Sequence, residues 1–305
     1  MQGGARRAAV RMSAPGEAEP FFADRRAMRR NFERAAGTFA QGEALHREVA
    51  SRMLERLDYI RLAPRRIIDL GCAIGASFGP LGERYAGAVL TGVDFAHAMA
   101  RRAAPRASLL ARWFGHPPSA VCADLSALPF AAGTFGMAWS NLALHWLDDP
   151  QPAFMEAHRV LDTGGLLMFS MLGPDTLKEL RLAFAEMDTG WHVKRFVDLH
   201  DVGDVLVRAG FANPVMDMEV ITLTYDAPEK LFADLRFTGS ANAMTGRTRG
   251  LSGRAGIARL RTALAGARRE GRMPATFEVI YGHAWKPAPR RPVGEAVVKF
   301  TPRRK

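Results

Sequence analysis

The segment Arg66-Ile-Ile-Asp69-Leu-Gly71-Cys-Ala73-Ile-Gly75 restricts what this chain can fold into more than any other stretch. Its apolar run, Ile67-Ile68 through Leu70, has the composition of a strand covered on both faces, and it breaks at once into small residues. Ligands enter an open α/β sheet at the C-terminal ends of its parallel strands, so the break marks a binding edge. Gly71 and Gly75 let backbone come close to a ligand, and a helix starting near Ala76 would turn free N–H groups toward it. A second run, Ala88-Val-Leu-Thr-Gly-Val93, ends in Asp94, 25 residues beyond Asp69, about the length of one strand-helix-strand unit. A carboxylate there can accept both hydroxyls of a ribose diol. The two runs together predict a nucleoside-binding crevice.

The rest of the first half extends the same alternation. Strands are expected at 67–70, 89–94, 120–124, 136–141 and 166–170, with helices around 76–85, 96–104 and 150–160, which gives a doubly wound, parallel α/β sheet. Residues 25–57 read as helical, with Met28, Phe32, Phe39, Leu45, Val49, Met53 and Leu57 at mixed helical spacing and interruptions near Gly37 and Gly42. Such helices would lie over the sheet and cap the crevice. Residues 107–119, with Gly115, Pro117 and Pro118, read as a loop insertion. Beyond Gly173 the expectation is a helix at 175–187, a connector at 191–196, a helix at 201–209 and strands at 215–225 and 276–286, with the basic, Gly-rich stretch 239–256 as a lid-like insertion. We read one domain over 23–286, with its core at 60–173 and an elaboration at 174–286, between tails at 1–22 and 287–305.

Composition narrows the class. No apolar run approaches the roughly 18 residues that a membrane span needs. Cys72 and Cys122 are the only cysteines, which argues against a disulfide framework or a metal cluster and for a reducing compartment. The first twenty residues lack the apolar core of a secretory signal, and a cytoplasmic location is expected. The net charge of +11 is uneven, because residues 240–305 hold fifteen Lys and Arg against three acids. That asymmetry suggests an acidic partner, whether nucleic acid or an acidic protein, unless the segment is merely a solvated tail.

Three further segments fall where strands should end. Asp124-Leu-Ser-Ala-Leu-Pro129-Phe130 offers a carboxylate to an adenine amino group, with the Leu125 N–H set to meet a ring nitrogen. Ser140-Asn141-Leu-Ala-Leu-His145-Trp146 mixes polar and aromatic groups at the crevice mouth, and Arg159-Val-Leu-x-x-Gly-Gly165 follows. The first loop has the spacing G-x-A-x-G, not the G-x-G-x-x-G of dinucleotide sites. Taken in order, these motifs resemble the class I S-adenosylmethionine (SAM) methyltransferases. Arg34-Ala-Ala-x-x-Phe39, Leu177-x-Glu-Leu180, Lys194-Arg195-Phe196 and Pro274-Ala-Thr-Phe277 narrow the likeness to the BioC-type malonyl-[acyl-carrier protein] O-methyltransferases of biotin synthesis.

The resemblance implies a Rossmann-like, mostly parallel seven-stranded sheet with an antiparallel edge, N-terminal helices and a basic helical lid. It places Asp69, Gly71, Ala73, Gly75, Asp94, Phe95, Asp124, Leu125 and Asn141 around SAM as cofactor. It also implies methyl transfer to the free malonyl carboxylate, an ionised nucleophile that requires no general base. Arg195 is then the first candidate for holding that carboxylate and His145 the second, with Trp146 and Phe39 nearby. Arg247, Arg249, Arg254 and Arg259 would meet an acidic acyl-carrier protein. No metal is implied. Two residues depart from the pattern: Ala73 replaces a loop glycine, which suits a negative φ, and Phe39 replaces a tyrosine, which removes a hydroxyl.

Other readings of the same fold are an assembly factor or protein-arginine-modifying enzyme of the complex I type, and a small-molecule methyltransferase. The first shares Leu144-His-Trp146, Asp175-Thr-Leu-Lys-Glu-Leu-Arg181 and Pro274-Ala-Thr276. Nucleic acid is the weaker substrate, since Ser140-Asn141-Leu-Ala stands where enzymes that methylate flipped bases carry an N-P-P-Y-like signature.

Overall fold

A computed structural model describes residues 22–104, 117–188, 190–247, 250 and 253–289. Seven strands form one sheet: β1 (Arg66–Leu70), β2 (Val89–Asp94), β3 (Ser119–Cys122), β4 (Phe135–Ser140), β5 (Leu161–Leu172), β6 (Ala212–Tyr225) and β7 (Met273–Trp285). Their order is β3-β2-β1-β4-β5-β7-β6. β1 to β5 run parallel, while β7 is antiparallel to both β5 and β6. The expected parallel sheet with an antiparallel edge is therefore present.

Burial explains why these runs became strands. Ile67, Met137 and Met168 pack into the apolar cluster on one face, and their chain neighbours Ile68, Ala138 and Phe169 pack into the cluster on the other. Side chains alternate across a strand, so both faces must be covered. Helices α3 (Ala44–Arg56), α4 (Phe78–Arg84), α6 (Gln151–Val160) and α8 (Leu199–Arg208) supply that cover, with α5 (His97–Ala103) beside β2 and β3. From α3, Arg52 reaches Glu219 at 2.7 Å and Arg56 reaches Asp217 at 2.6 Å, tying the N-terminal segment to β6.

The helical N-terminal stretch splits as its glycines suggested, into α1 (Arg25–Ala35), the single turn α2 (Phe39–Gly42) and α3. Asp24 caps α1 by accepting the Ala27 N–H at 3.0 Å. Other expectations need correction. The third strand stops at Cys122, because Asp124 instead turns the chain by accepting the Ser126 N–H at 3.0 Å. The helix expected from 175 begins only with α7 (Lys178–Ala185), because Leu177 takes φ 53° and its N–H donates across to Thr276 O at 2.6 Å. Two helices were not expected: α9 (Pro228–Phe237) and α10 (Arg254–Gly266). The lid-like stretch 239–256 thus runs partly into α10. The loop insertion falls mainly, and the tails almost wholly, outside the described residues.

Candidate active site

The first loop is shaped by the ends of β1 and β2. The N–H groups of Gly71 and Cys72 both donate to Val93 O, at 2.8 and 3.0 Å, which stitches the loop to its neighbour strand. Gly71 has φ 80°, and a Cβ there would lie 2.2 Å from the Ala143 Cβ. Only glycine fits at that position. Ala73 has φ 44°, so the negative φ that would have suited alanine is not what the loop adopts. Left-handed backbone costs an alanine about 1–2 kcal/mol. Asp94 offsets part of that cost, since its carboxylate accepts the Ala73 N–H at 3.0 Å and the Ala96 N–H at 2.8 Å.

Three carboxyls converge on this edge, each in a different electrostatic state. Asp69 is enclosed, and burial pushes it up to about 7 although the Ser77 hydroxyl donates to it. Burial likewise raises Asp94 to about 6, against the pull of its two backbone N–H donors. At Asp124 burial opposes ionisation, but the Ser126 N–H and the Arg25 guanidinium outweigh it and hold the acid below its usual value.

The crevice has two halves, of about 80 Å³ and about 410 Å³. Phe39, His46, Gly71, Ala73 and Asn141 line both. Asp94, Phe95, Asp124 and Leu125 line the smaller half, and Asp69 the larger. Gly75 lines neither; its φ of 80° shapes the loop from behind, against the Ala103 backbone. Arg25, Met28 and Phe32 of α1 close the smaller half. Asn141 is fixed by donating to His46 O at 2.9 Å and accepting from the Ser170 hydroxyl at 3.0 Å.

Beyond the smaller half lies an apolar chamber of about 300 Å³, sharing the wall of His46, Leu142 and Trp146. Leu45, Leu172, Leu180, Phe184, Phe196 and Leu231 make up much of its lining. His145 lines it too, and burial, with Lys194 and His46 nearby, pushes that imidazole well below its ordinary value. His46 falls to about 4 through burial alone. Lys194 lines the chamber, and its Nζ donates to Asp148 at 2.9 Å and to Trp146 O at 3.1 Å. Arg195, the expected carboxylate partner, is exposed instead, with its guanidinium 4.7 Å over the Trp191 ring. Phe39 lines the crevice and not the chamber, whereas Trp146 lines both.

His46 and Lys194 were missed. His46 flanks the buried stripe of Leu45, Val49 and Met53 on α3, and a half-buried polar residue there is the available signal. Lys194 and Arg195 are adjacent in an irregular connector, where no periodicity tells which one faces inward.

The basic residues fare unevenly. Arg247 is spent on an ion pair with Asp24 at 3.0 Å and a bond to Met244 O at 2.6 Å. Arg259 donates to Glu186 O and Met187 O just beyond the end of α7. Arg254 is exposed at the start of α10, and Arg249 lies outside the described residues. Among the described residues no group of His, Cys, Asp and Glu could hold a metal ion, and no helix is long and apolar enough to cross a membrane.

Residues 68–169 match the family model described as a methyltransferase domain. The chain is 49% identical to a malonyl-[acyl-carrier protein] O-methyltransferase of Laribacter hongkongensis, over 93% of this chain and 98% of that one. It is 50% identical to a protein of the same name from Gallionella capsiferriformans, over 92% and 97%. Among solved structures, the YcgJ protein of Bacillus subtilis shares the fold, with TM-score 0.54 and 16% identity over 80% of this chain and all of that one. With near-full-length identity at this level, the chain belongs to the malonyl-[acyl-carrier protein] O-methyltransferase family.

Proposed function

We propose that this chain transfers a methyl group from SAM to the free carboxylate of a malonyl thioester carried by an acyl-carrier protein, in the pimeloyl branch of biotin synthesis. The observation that supports this reading is the shared wall, which joins a crevice of carboxyls and backbone to an apolar chamber lined in part by a half-buried lysine, in a chain of this family.

The crevice fits an adenosyl cofactor on its own chemistry. Asp94 and Asp124 are acceptors at or just past the ends of neighbouring strands, and Gly71, where a Cβ would strike Ala143, brings bare backbone to the crevice. Asp94 would hold the ribose diol, Asp124 and the Leu125 N–H the adenine edge, and Asp69, Ala73 and Asn141 the remainder. When bound, SAM supplies an electrophilic methyl group. What the protein does is position and exclude. Leu142 and Trp146 would keep water from the shared wall, with Phe39 on its crevice side, and apolar surroundings strengthen every charge interaction there. Malonyl is ionised at neutral pH, so the residues need remove no proton, and alignment is the main contribution.

Lys194 is the cation we assign to the substrate side, in place of Arg195. Asp148 and Trp146 O hold its ammonium at the chamber wall, which makes the potential there favourable to an anion without fixing the cation on it. Arg254, exposed and with none of the structural bonds of Arg247 and Arg259, is the described basic residue we assign to carrier contact.

The test is direct. Purified protein incubated with SAM and malonyl-carrier should yield S-adenosylhomocysteine and the methyl ester, and the gene should restore growth to a biotin-requiring strain that lacks this methyltransferase. Cofactor binding without ester formation would overturn the substrate assignment.

A further inference from the structure

We propose that His46 and His145 together receive the acceptor carboxylate, as two hydrogen-bond donors set where the crevice opens into the chamber. This deepens the malonyl reading above and rests on it. His145 is buried and His46 half-buried, and in both Nδ1 is enclosed with no hydrogen-bond partner. Buried polar atoms almost always have one, so an orphan calls for a reason. Among the described residues the other orphaned side chains are Glu43, Tyr85, Trp139 and Tyr281, and none of these lines the chamber. The two histidines do, and His46 also borders both halves of the crevice.

Their setting suits the task. The His46 ring packs edge-on to Phe39 at 5.0 Å, and the His145 ring lies 5.4 Å from Trp146 and 5.6 Å from Phe196. Aromatic packing of this kind holds a ring in one orientation before any ligand arrives. Burial lowers both pKa values, so each ring is neutral at pH 7 and offers one N–H and one lone pair. Nδ1 is enclosed in both rings and holds the lone pair, which leaves the N–H on Nε2 to meet a carboxylate. Neutrality also matters for reactivity. A bare cation clamped on the carboxylate would withdraw electron density from the oxygen that must attack, whereas a neutral N–H fixes its direction at smaller loss. Lys194, already bonded to Asp148 and Trp146 O, cannot approach as a free cation.

The experiment compares malonyl-carrier with acetyl-carrier, which lacks only the carboxylate. Binding of each is measured with S-adenosylhomocysteine present, for the wild type, His46→Ala, His145→Ala and the amide variants His46→Gln and His145→Gln, which keep a neutral donor. We expect the malonyl preference to fall about tenfold or more in each alanine variant, the worth of a hydrogen bond to a charged group. S-adenosylhomocysteine affinity should hold in the His145 variants, the malonyl-to-acetyl ratio is the readout for His46, which also borders the crevice, and the glutamine variants should retain most of the preference. An unchanged malonyl-to-acetyl ratio in folded alanine variants overturns the inference, as does equal loss in the glutamine variants. If the wild type prefers malonyl-carrier and loses that preference with the histidines, yet makes no ester, the receptor stands and the methyl-transfer reading fails.

Discussion

The crevice and the chamber share a wall but are built by opposite rules. The strand edge of the crevice is made of backbone and carboxyls from the ends of β1, β2 and β3, each local in the chain, with side chains of α1 to α3 and the loop after β4 closing over it. The chamber is made of apolar side chains from α3, β5, α7, the 191–196 connector, β6, α9 and β7, which only the fold brings together. A site made of backbone fails abruptly when an atom is added, while a site made of side chains changes by degrees as volume is traded. Substitutions in the two regions should therefore differ in kind.

The largest effect belongs to Gly71→Val. The new Cβ meets Ala143 at 2.2 Å on a backbone with φ 80°, so both sterics and strain oppose it. We expect S-adenosylhomocysteine affinity to drop more than about 100-fold by titration calorimetry, with a stability loss of about 3 kcal/mol or more. A folded variant binding within threefold of wild type would mean that this loop is not the cofactor edge.

Asp94→Asn should come next, at about 10- to 100-fold in the same titration, because the amide puts an N–H donor where Ala73 and Ala96 both present donors. Its pH signature has a definite sign. The folded Asp94 titrates at about 6, above an ordinary carboxylate, so between those values the folded chain holds a proton that the unfolded chain lacks. The ionised form costs stability above pH 6, and that cost fades as pH falls through 6. Relative to Asp94→Asn, the ligand-free wild type should gain stability from pH 7.5 to 5, while its cofactor affinity declines as the acceptor is neutralised. Parallel melting curves for the two proteins across that range would refute the assignment.

The same contrast explains what the sequence revealed. Asp69, Asp94 and Asp124 could be placed because each sits at or just past the C-terminal end of its own strand, and strand ends define a ligand edge without knowledge of packing. His46 was hidden because helical periodicity marks α3 as core, and its reach into a cavity depends on residues far along the chain. α9 had a start signal in Pro228 and a stripe in Leu231, Phe232 and Leu235, but it is short and runs straight into the Gly-rich basic stretch that begins at 239. Ala73 shows the limit from the other side: its position in the loop was evident, while its φ is set by the Asp94 carboxylate, a partner 21 residues away.

On the chamber side, neighbouring cations give a graded test. Lys194→Met removes the ammonium that lines the chamber but keeps most of its volume, and it leaves Asp148 bonded to the Ala23 N–H at 3.0 Å. We expect KM for malonyl-carrier to rise about tenfold with a smaller change in kcat, as for lost binding common to ground and transition states. Arg195→Met, outside the chamber, should change KM less than about threefold. The reverse ranking would restore Arg195 as the residue that meets the substrate.

The smallest effect is expected at Ala73, the loop residue that replaces a glycine of the family pattern. Ala73→Gly relieves a φ of 44°, worth about 1–2 kcal/mol, but a glycine also adds about 0.4–1 kcal/mol of unfolded-state freedom. The lost methyl packs against the cluster of Ala35, Phe39, Ala96 and Met99, and removing it costs about 0.8 kcal/mol more. These contributions nearly cancel, so Tm should move by less than about 4 °C. The Asp94 bond goes to the backbone N–H, which glycine keeps, so the loop retains its tie to β2. Cofactor affinity should then stay within about threefold of wild type. A tenfold tighter variant would show that the methyl stands against the cofactor, and would shift the cause of any weak activity from the chamber back to the crevice.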